Sequence, residues 1–299
     1  MTLLIGSLQL GFIYGMLALG IYISFRILNI PDLTADGSFT LGLAVSAVLT
    51  LAGHPLLGIL LAIVAGAAAG TVTGLLQTKL EIHPILAGII TMSSLYSINL
   101  YVLGSRSNLS LIGSDTLFTQ IAWLPVSKEI LKTLVPFAFC FLCAVVLIWF
   151  FKTHLGLCIR ATGNNEEMVK ASSINVDAMK ILAVAISNAC IGLAGAVLAQ
   201  YQGYADISSG IGIMVVGLAS AIIGEAIFGR RSLTIGLLSA IFGSLIYRFI
   251  IAAALKSSIF PAYMLRVVSA VIVVIALAVP VVKKHLELHN MRKKVELDA

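Results

Sequence analysis

The sequence predicts an all-α membrane protein, a polytopic helical bundle of about nine transmembrane segments with one discontinuous or short helix. Three observations predict it. Of 299 residues, 60% are hydrophobic and only 11% are charged, where soluble domains run to roughly a quarter charged. Apolar runs of roughly 17 to 25 residues recur along the chain, a length that suits helices crossing a hydrocarbon layer of ~30 Å and not the short alternating strands of a barrel. Lys and Arg gather in a few short loops and in the tail. The net charge of +6 therefore reads as orientation in a bilayer, not as a nucleic-acid surface.

The spans, in order, are Leu3 to Phe25, Ser38 to Ala52, Leu56 to Gln77, Pro84 to Leu103, Leu134 to Phe151, Asp177 to Gln200, Ile211 to Phe228, Ser232 to Leu255 and Met264 to Val282. The first has no basic n-region or small-residue cleavage site and reads as a retained span. The second is short and follows Asn29-Ile30-Pro31-Asp32-Leu33-Thr34-Ala35-Asp36-Gly37-Ser38, where Pro31 and Gly37 interrupt helix. This is either a break at membrane depth beside a pathway or an ordinary turn capped by Asp36 or Ser38. The third, sixth, seventh and eighth spans are dense in Gly and Ala, as in Ala65-Gly66-Ala67-Ala68-Ala69-Gly70, and predict close helix packing.

An odd number of crossings places the termini on opposite faces. Lys79, Lys152, Arg160, Lys170, Lys180, Arg230, Arg231 and the tail residues Lys283, Lys284, Arg292, Lys293 and Lys294 share one face if the N-terminus is outside, so that face is cytoplasmic. The expected organisation is a permease domain over 1–282, with a cytoplasmic loop at 152–178, and a charged tail over 283–299. Ser105 to Lys132 is the one sizeable extracellular element. Cys140, Cys143, Cys158 and Cys190 have no companion His cluster, so no metal site is expected.

Polar residues in apolar surroundings mark the candidate pathway: Asn29, Asp32, Asp36 and Ser38 at the break, Thr91, Ser93, Ser94, Ser97 and Asn99 in the fourth span, and Asn188 in the sixth. Such groups can line a route for a zwitterionic solute, or they can simply bond neighbouring helices. Glu225 falls about a turn before Arg230 and Arg231 and reads as a structural ion pair or helix-end contact. Arg248 is expected near the outer surface with Lys256.

Gly11-Phe12-Ile13-Tyr14-Gly15-Met16-Leu17-Ala18-Leu19-Gly20, the broken Asn29-Ile30-Pro31 segment and Asp36-Gly37-Ser38-Phe39 resemble the start of the branched-chain amino acid permeases of bacterial ABC importers. The central loop resembles that family's coupling segment, although Ser173 stands before Ile174-Asn175-Val176 where the family's turn has Gly, and Ser tolerates a left-handed backbone poorly. Thr91 to Leu100 and Ile223-Gly224-Glu225-Ala226 resemble an orphan subgroup linked with tryptophan or tyrosine.

The resemblance implies a permease of the bacterial cell membrane paired in a dimer, most simply with its own copy. It also implies an extracellular solute-binding protein and two ATPase subunits inside that bind ATP and Mg. No nucleic acid and no cofactor of the chain's own is implied, and the sequence has no G-x-x-x-x-G-K-[ST] loop with which to hydrolyse ATP itself. Asn164, Asn165, Glu166, Glu167, Met168, Lys170 and Ala171 would form the coupling helix. Either Asn can cap it, the two Glu favour its positive end, and Met168 and Ala171 are spaced to enter a groove on the ATPase. The alternatives are an ion-gradient transporter, for which Asp32 and Asp36 are the candidate carboxylates although they fall near the cytoplasmic end of the first span, and an intramembrane enzyme, for which no paired catalytic groups are present.

Overall fold

The computed structural model describes residues 2–121, 127–229 and 232–256, together with positions 267, 270, 271, 274 and 278. The charged tail, Arg230 and Arg231 lie outside the described residues, as do most of the predicted ninth span and part of the predicted extracellular element, residues 122–126. Among the described residues, seven helices are long and apolar enough to cross a membrane, with Ile213–Phe228 as a shorter apolar helix.

Helix α1 (Thr2–Ile21) runs directly into a π-helical stretch, Tyr22–Ile27. It packs against α6 (Lys128–Phe150), α9 (Val176–Gln202), α10 (Ile213–Phe228) and α11 (Leu233–Lys256). Its glycines make that central position possible. A Cβ on Gly20 would stand 2.6 Å from the Ser187 carbonyl oxygen, and one on Gly11 2.6 Å from the Leu245 side chain. Helices α2 (Thr34–Leu51) and α3 (Pro55–Thr78) close on α9 in the same way. A Cβ at Gly42 would meet the Gly192 carbonyl at 2.1 Å, and one at Gly66 the Asn188 carbonyl at 2.3 Å. Without interhelical water to expel, such backbone-close contact is the main source of cohesion between membrane helices.

Helix α9 is the reference axis of the bundle, buried almost without interruption from Ala183 to Gln200. Its start is capped by Asn175, whose Oδ1 accepts from the Ala178 amide at 3.0 Å, and its end by Gly203 at φ 77°. Near that end, buried Gln200 donates to Ser46 Oγ and to the Pro55 carbonyl and accepts from the Leu117 amide at the start of α5 (Leu117–Gln120). Beyond it, β1 (Asn108–Ser110) pairs antiparallel with β2 (Tyr204–Asp206), Asn108 opposite Asp206. Burial alone would raise the Asp206 carboxyl, but hydrogen bonds from Ser208 and Asn108 outweigh it and hold the group below its ordinary value.

The remaining long helix, α4 (Pro84–Val102), packs on α2 and leaves much of its surface uncovered. The loop between α6 and α9 folds into α7 (His154–Asn164) and α8 (Glu166–Ala171).

Candidate functional site

The break predicted around Pro31 is a re-entrant turn. After Ile27 the chain leaves the helix through Leu28–Leu33, with Asn29 at φ 60° and the Ile30 amide reaching back to the Ser24 carbonyl at 2.9 Å. Buried Asp32 then takes the Thr34 amide at 2.9 Å on one oxygen and Asn188 Nδ2 at 2.6 Å on the other. Asn188 lies midway along α9, about 20 Å from either end at 1.5 Å per residue. Helix α2 therefore begins near mid-depth, not at the end of the first span. The Asp32–Asn188 contact is an interhelical bond that also satisfies backbone freed by the break.

A second helix begins at the same level. Asp36, in the first turn of α2, accepts the Gly212 amide at 2.8 Å and the Met214 amide at 2.9 Å, which are donors at the start of α10. Gly210 lets the incoming chain press on Asp36, since a Cβ there would sit 2.1 Å from the Asp36 carbonyl oxygen. Two helix N-termini thus meet inside the bundle, each held by a carboxylate, where irregular backbone is tolerated only against protein or a polar cavity. Beside them opens a cavity of about 470 Å³, lined among others by Asp36, Thr40, Ser93, Tyr96 and Asn99.

Of the predicted pathway residues, Asp36, Ser93 and Asn99 come together at this cavity. Thr91 and Ser94 line a neighbouring, mostly apolar groove between α3 and α4, and Ser97 is exposed on α4. Ser38 is fully buried with an unpartnered hydroxyl, Asn29 is exposed at the turn, and Asp32 and Asn188 are buried together. Ser93, Ser94, Tyr96 and Ser97 are exposed on α4 among apolar neighbours such as Ile89 and Ile90, and Ser94 Oγ donates to the Ile90 carbonyl at 2.9 Å within the helix.

The second site is the polar loop. Helix α8 is capped by Asn165, whose Oδ1 accepts the Met168 amide at 3.1 Å, while Asn164 ends α7. Val169 is 1% exposed and anchors the short helix, and Lys180 on α9 binds Glu166 at 2.6 Å. Met168 is 56% exposed, and Glu167, Lys170 and Ala171 stand open with it. Ser173 takes the left-handed backbone of the expected turn, at φ 58°. Helix α7 seats α8 on the bundle. A Cβ on Gly163 would lie 1.9 Å from the Ile27 carbonyl oxygen, at the edge of the re-entrant turn.

Glu225 forms the expected structural ion pair, with Arg26 in the π-helical stretch, whose Nε and Nη2 donate to its two oxygens at 2.6 and 2.7 Å. The Arg248 guanidinium lies over the Tyr14 ring, 3.6 Å from the centroid. Among the described residues no group of three His, Cys, Asp or Glu is placed to hold a metal ion.

Residues 3–277 match the family described as branched-chain amino acid transport system, permease component. The chain is 37% identical over 279 residues to a tyrosine transport system permease protein of Clostridioides difficile, covering 93% of this chain and 91% of the relative. It is 30% identical over 220 residues to the D-allose transport system permease protein of Escherichia coli, covering 72% and 64%. With the ribose import permease protein of Escherichia coli the identity is 26% over 254 residues, covering 83% and 76%. No solved structure matches the chain.

Proposed function

The chain belongs to the permease component family of branched-chain amino acid transport systems, and from that premise we propose that it is the membrane subunit of a binding-protein-dependent ABC importer that moves an amino acid or similar small polar solute into the cell. It is a multi-pass protein of the cell membrane. In this reading the N-terminus is outside, the polar loop and C-terminus are cytoplasmic, and a separate ATPase supplies the energy. The relative named for tyrosine supports an amino acid, while those named for D-allose and ribose keep the wider solute class open.

The observation that carries the reading is the construction of α8. A six-residue helix with a side-chain cap at its start, one buried anchor and an ion pair to α9 presents Met168, Glu167, Lys170 and Ala171 outward. A solvated loop has no need of such fixed presentation, whereas a lever must be stiff where it is pushed. Force at Met168 passes through α7 and Gly163 to Ile27, where the chain turns back toward Asp32 and the start of α2. Rocking of that turn would open or close the cavity beside Asp36. The largely uncovered surface of α4, with exposed Ser93 and Ser97 among apolar side chains, supports pairing with a second permease subunit, most simply a second copy, so that the path runs between the two.

Uptake of L-tyrosine into proteoliposomes containing this chain, its ATPase and its binding protein tests the proposal. Uptake that requires ATP and both partners is expected. The mid-depth carboxylates Asp32 and Asp36 favour one second reading, a transporter driven by an ion gradient. Uptake driven by a sodium or proton gradient with neither ATP nor partners would replace the first reading with that one.

A further inference from the structure

The cavity beside the break is rich in acceptors and, among the described residues, has no basic counterpart. Among the described residues Asp36 is its one charged lining residue, and it makes no ion pair with any of them. Its two oxygens accept from α10 amides, and each keeps room for a further donor. Asn99 is 1% exposed; its Nδ2 donates to the Gly37 carbonyl at 3.2 Å, yet its Oδ1 has no hydrogen-bond partner. A buried carbonyl oxygen left without a donor is costly unless something supplies one. Met92, Tyr96, Ile207 and Ile211 complete an apolar and aromatic wall.

We propose that this cavity is a binding site for the primary ammonium group of the solute, carried on a molecule whose other end is apolar or aromatic. The ammonium brings three donors and no acceptor, the complement of Asp36 and Asn99, and its charge balances the carboxylate. The Tyr96 ring, open to the cavity, gives the cation a π face. A sugar would bring hydroxyls and no charge. The proposal rests on the permease reading for how a solute arrives, and it narrows that solute to amino acids or amines.

The test uses the assembled transporter in proteoliposomes, with Ser93→Cys as a reporter and its modification by a methanethiosulfonate followed at residue 93 by mass spectrometry. Tyramine and L-tyrosine should slow modification, whereas 3-(4-hydroxyphenyl)propionate, ribose and sodium chloride at equal ionic strength should not. Asp36→Asn should raise the tyramine concentration for half-protection about ten-fold, the loss of one charge-assisted contact. Because Asp36 also holds the start of α10, Asn99→Leu serves as the second variant, leaving that cap in place and still weakening protection. Protection by the propionate, ribose or salt, absence of protection by tyramine, or unchanged protection in both variants would overturn the proposal. ATP-dependent uptake in the same vesicles reads the permease function separately, so the two can fail independently.

Discussion

Glu225, near the end of α10, receives Nε and Nη2 of Arg26 at 2.6 and 2.7 Å, so a bidentate pair fastens α10 to the π-helical end of the first span. The carboxylate is almost enclosed, with 6% of its side chain exposed against 26% for Arg26. The pair sits one step before the chain re-enters the bundle, and it fixes where that turn begins.

Arg26→Leu is therefore expected to destabilise the protein. Breaking a buried pair costs about 3–5 kcal/mol, and the partial solvent access of Arg26 brings the expectation down to roughly 2 kcal/mol. Arg26→Lys keeps the charge but loses the fork, and should fall between the two. Thermal unfolding midpoints in detergent check the order wild type, Lys, Leu.

Close helix contact makes a second prediction. A Cβ on Gly243 would stand 1.8 Å from the Ser220 carbonyl oxygen, whereas Gly6 has nothing within 4 Å. Gly243→Ala should force α11 from α10 and cost about 1–3 kcal/mol, while Gly6→Ala should be neutral or slightly stabilising through helix propensity. Equal unfolding midpoints for the two variants would contradict the packing described.

The turn before α9 gives a stabilising change. Ser173 holds φ 58°, a conformation that costs an L-residue about 1–2 kcal/mol and glycine almost nothing. After the extra chain entropy of glycine is subtracted, Ser173→Gly should add up to about 1 kcal/mol. A higher unfolding midpoint with unchanged uptake is the expected pair of results.

The helices, the polar loop and the position of the break were legible in the sequence because each depends on local signals: apolar length, Pro31, Gly37 and the Asn residues that cap α8 and α9. The way these parts meet was not. Glu225 is legible as a member of an ion pair, but its partner Arg26 lies 199 positions away and looks like a stray charge in an apolar run. Asp36 was visible as a polar residue, yet its bond to Gly212 crosses 176 positions and depends on α10 starting at mid-depth. The Gln200 network passed unnoticed because a polar residue at the end of a span carries no signal of its three partners. Thr91, Ser94 and Asn99 could be named together from composition, but only the helix phase separates the apolar groove from the cavity.

Transmission of force through α8 is tested most directly by measuring ATP-driven L-tyrosine uptake and ATPase stimulation for the combined Glu167→Ala, Met168→Ala variant in proteoliposomes with the ATPase and binding protein. Both side chains are exposed, and Val169, Asn165 and the Lys180–Glu166 pair keep the helix in place, so the unfolding midpoint should stay at the wild-type value. Uptake and stimulation should both fall about ten-fold or more, as for loss of a docking contact worth at least ~1.4 kcal/mol. Wild-type uptake and stimulation in this variant would contradict α8 as the surface on which the ATPase acts.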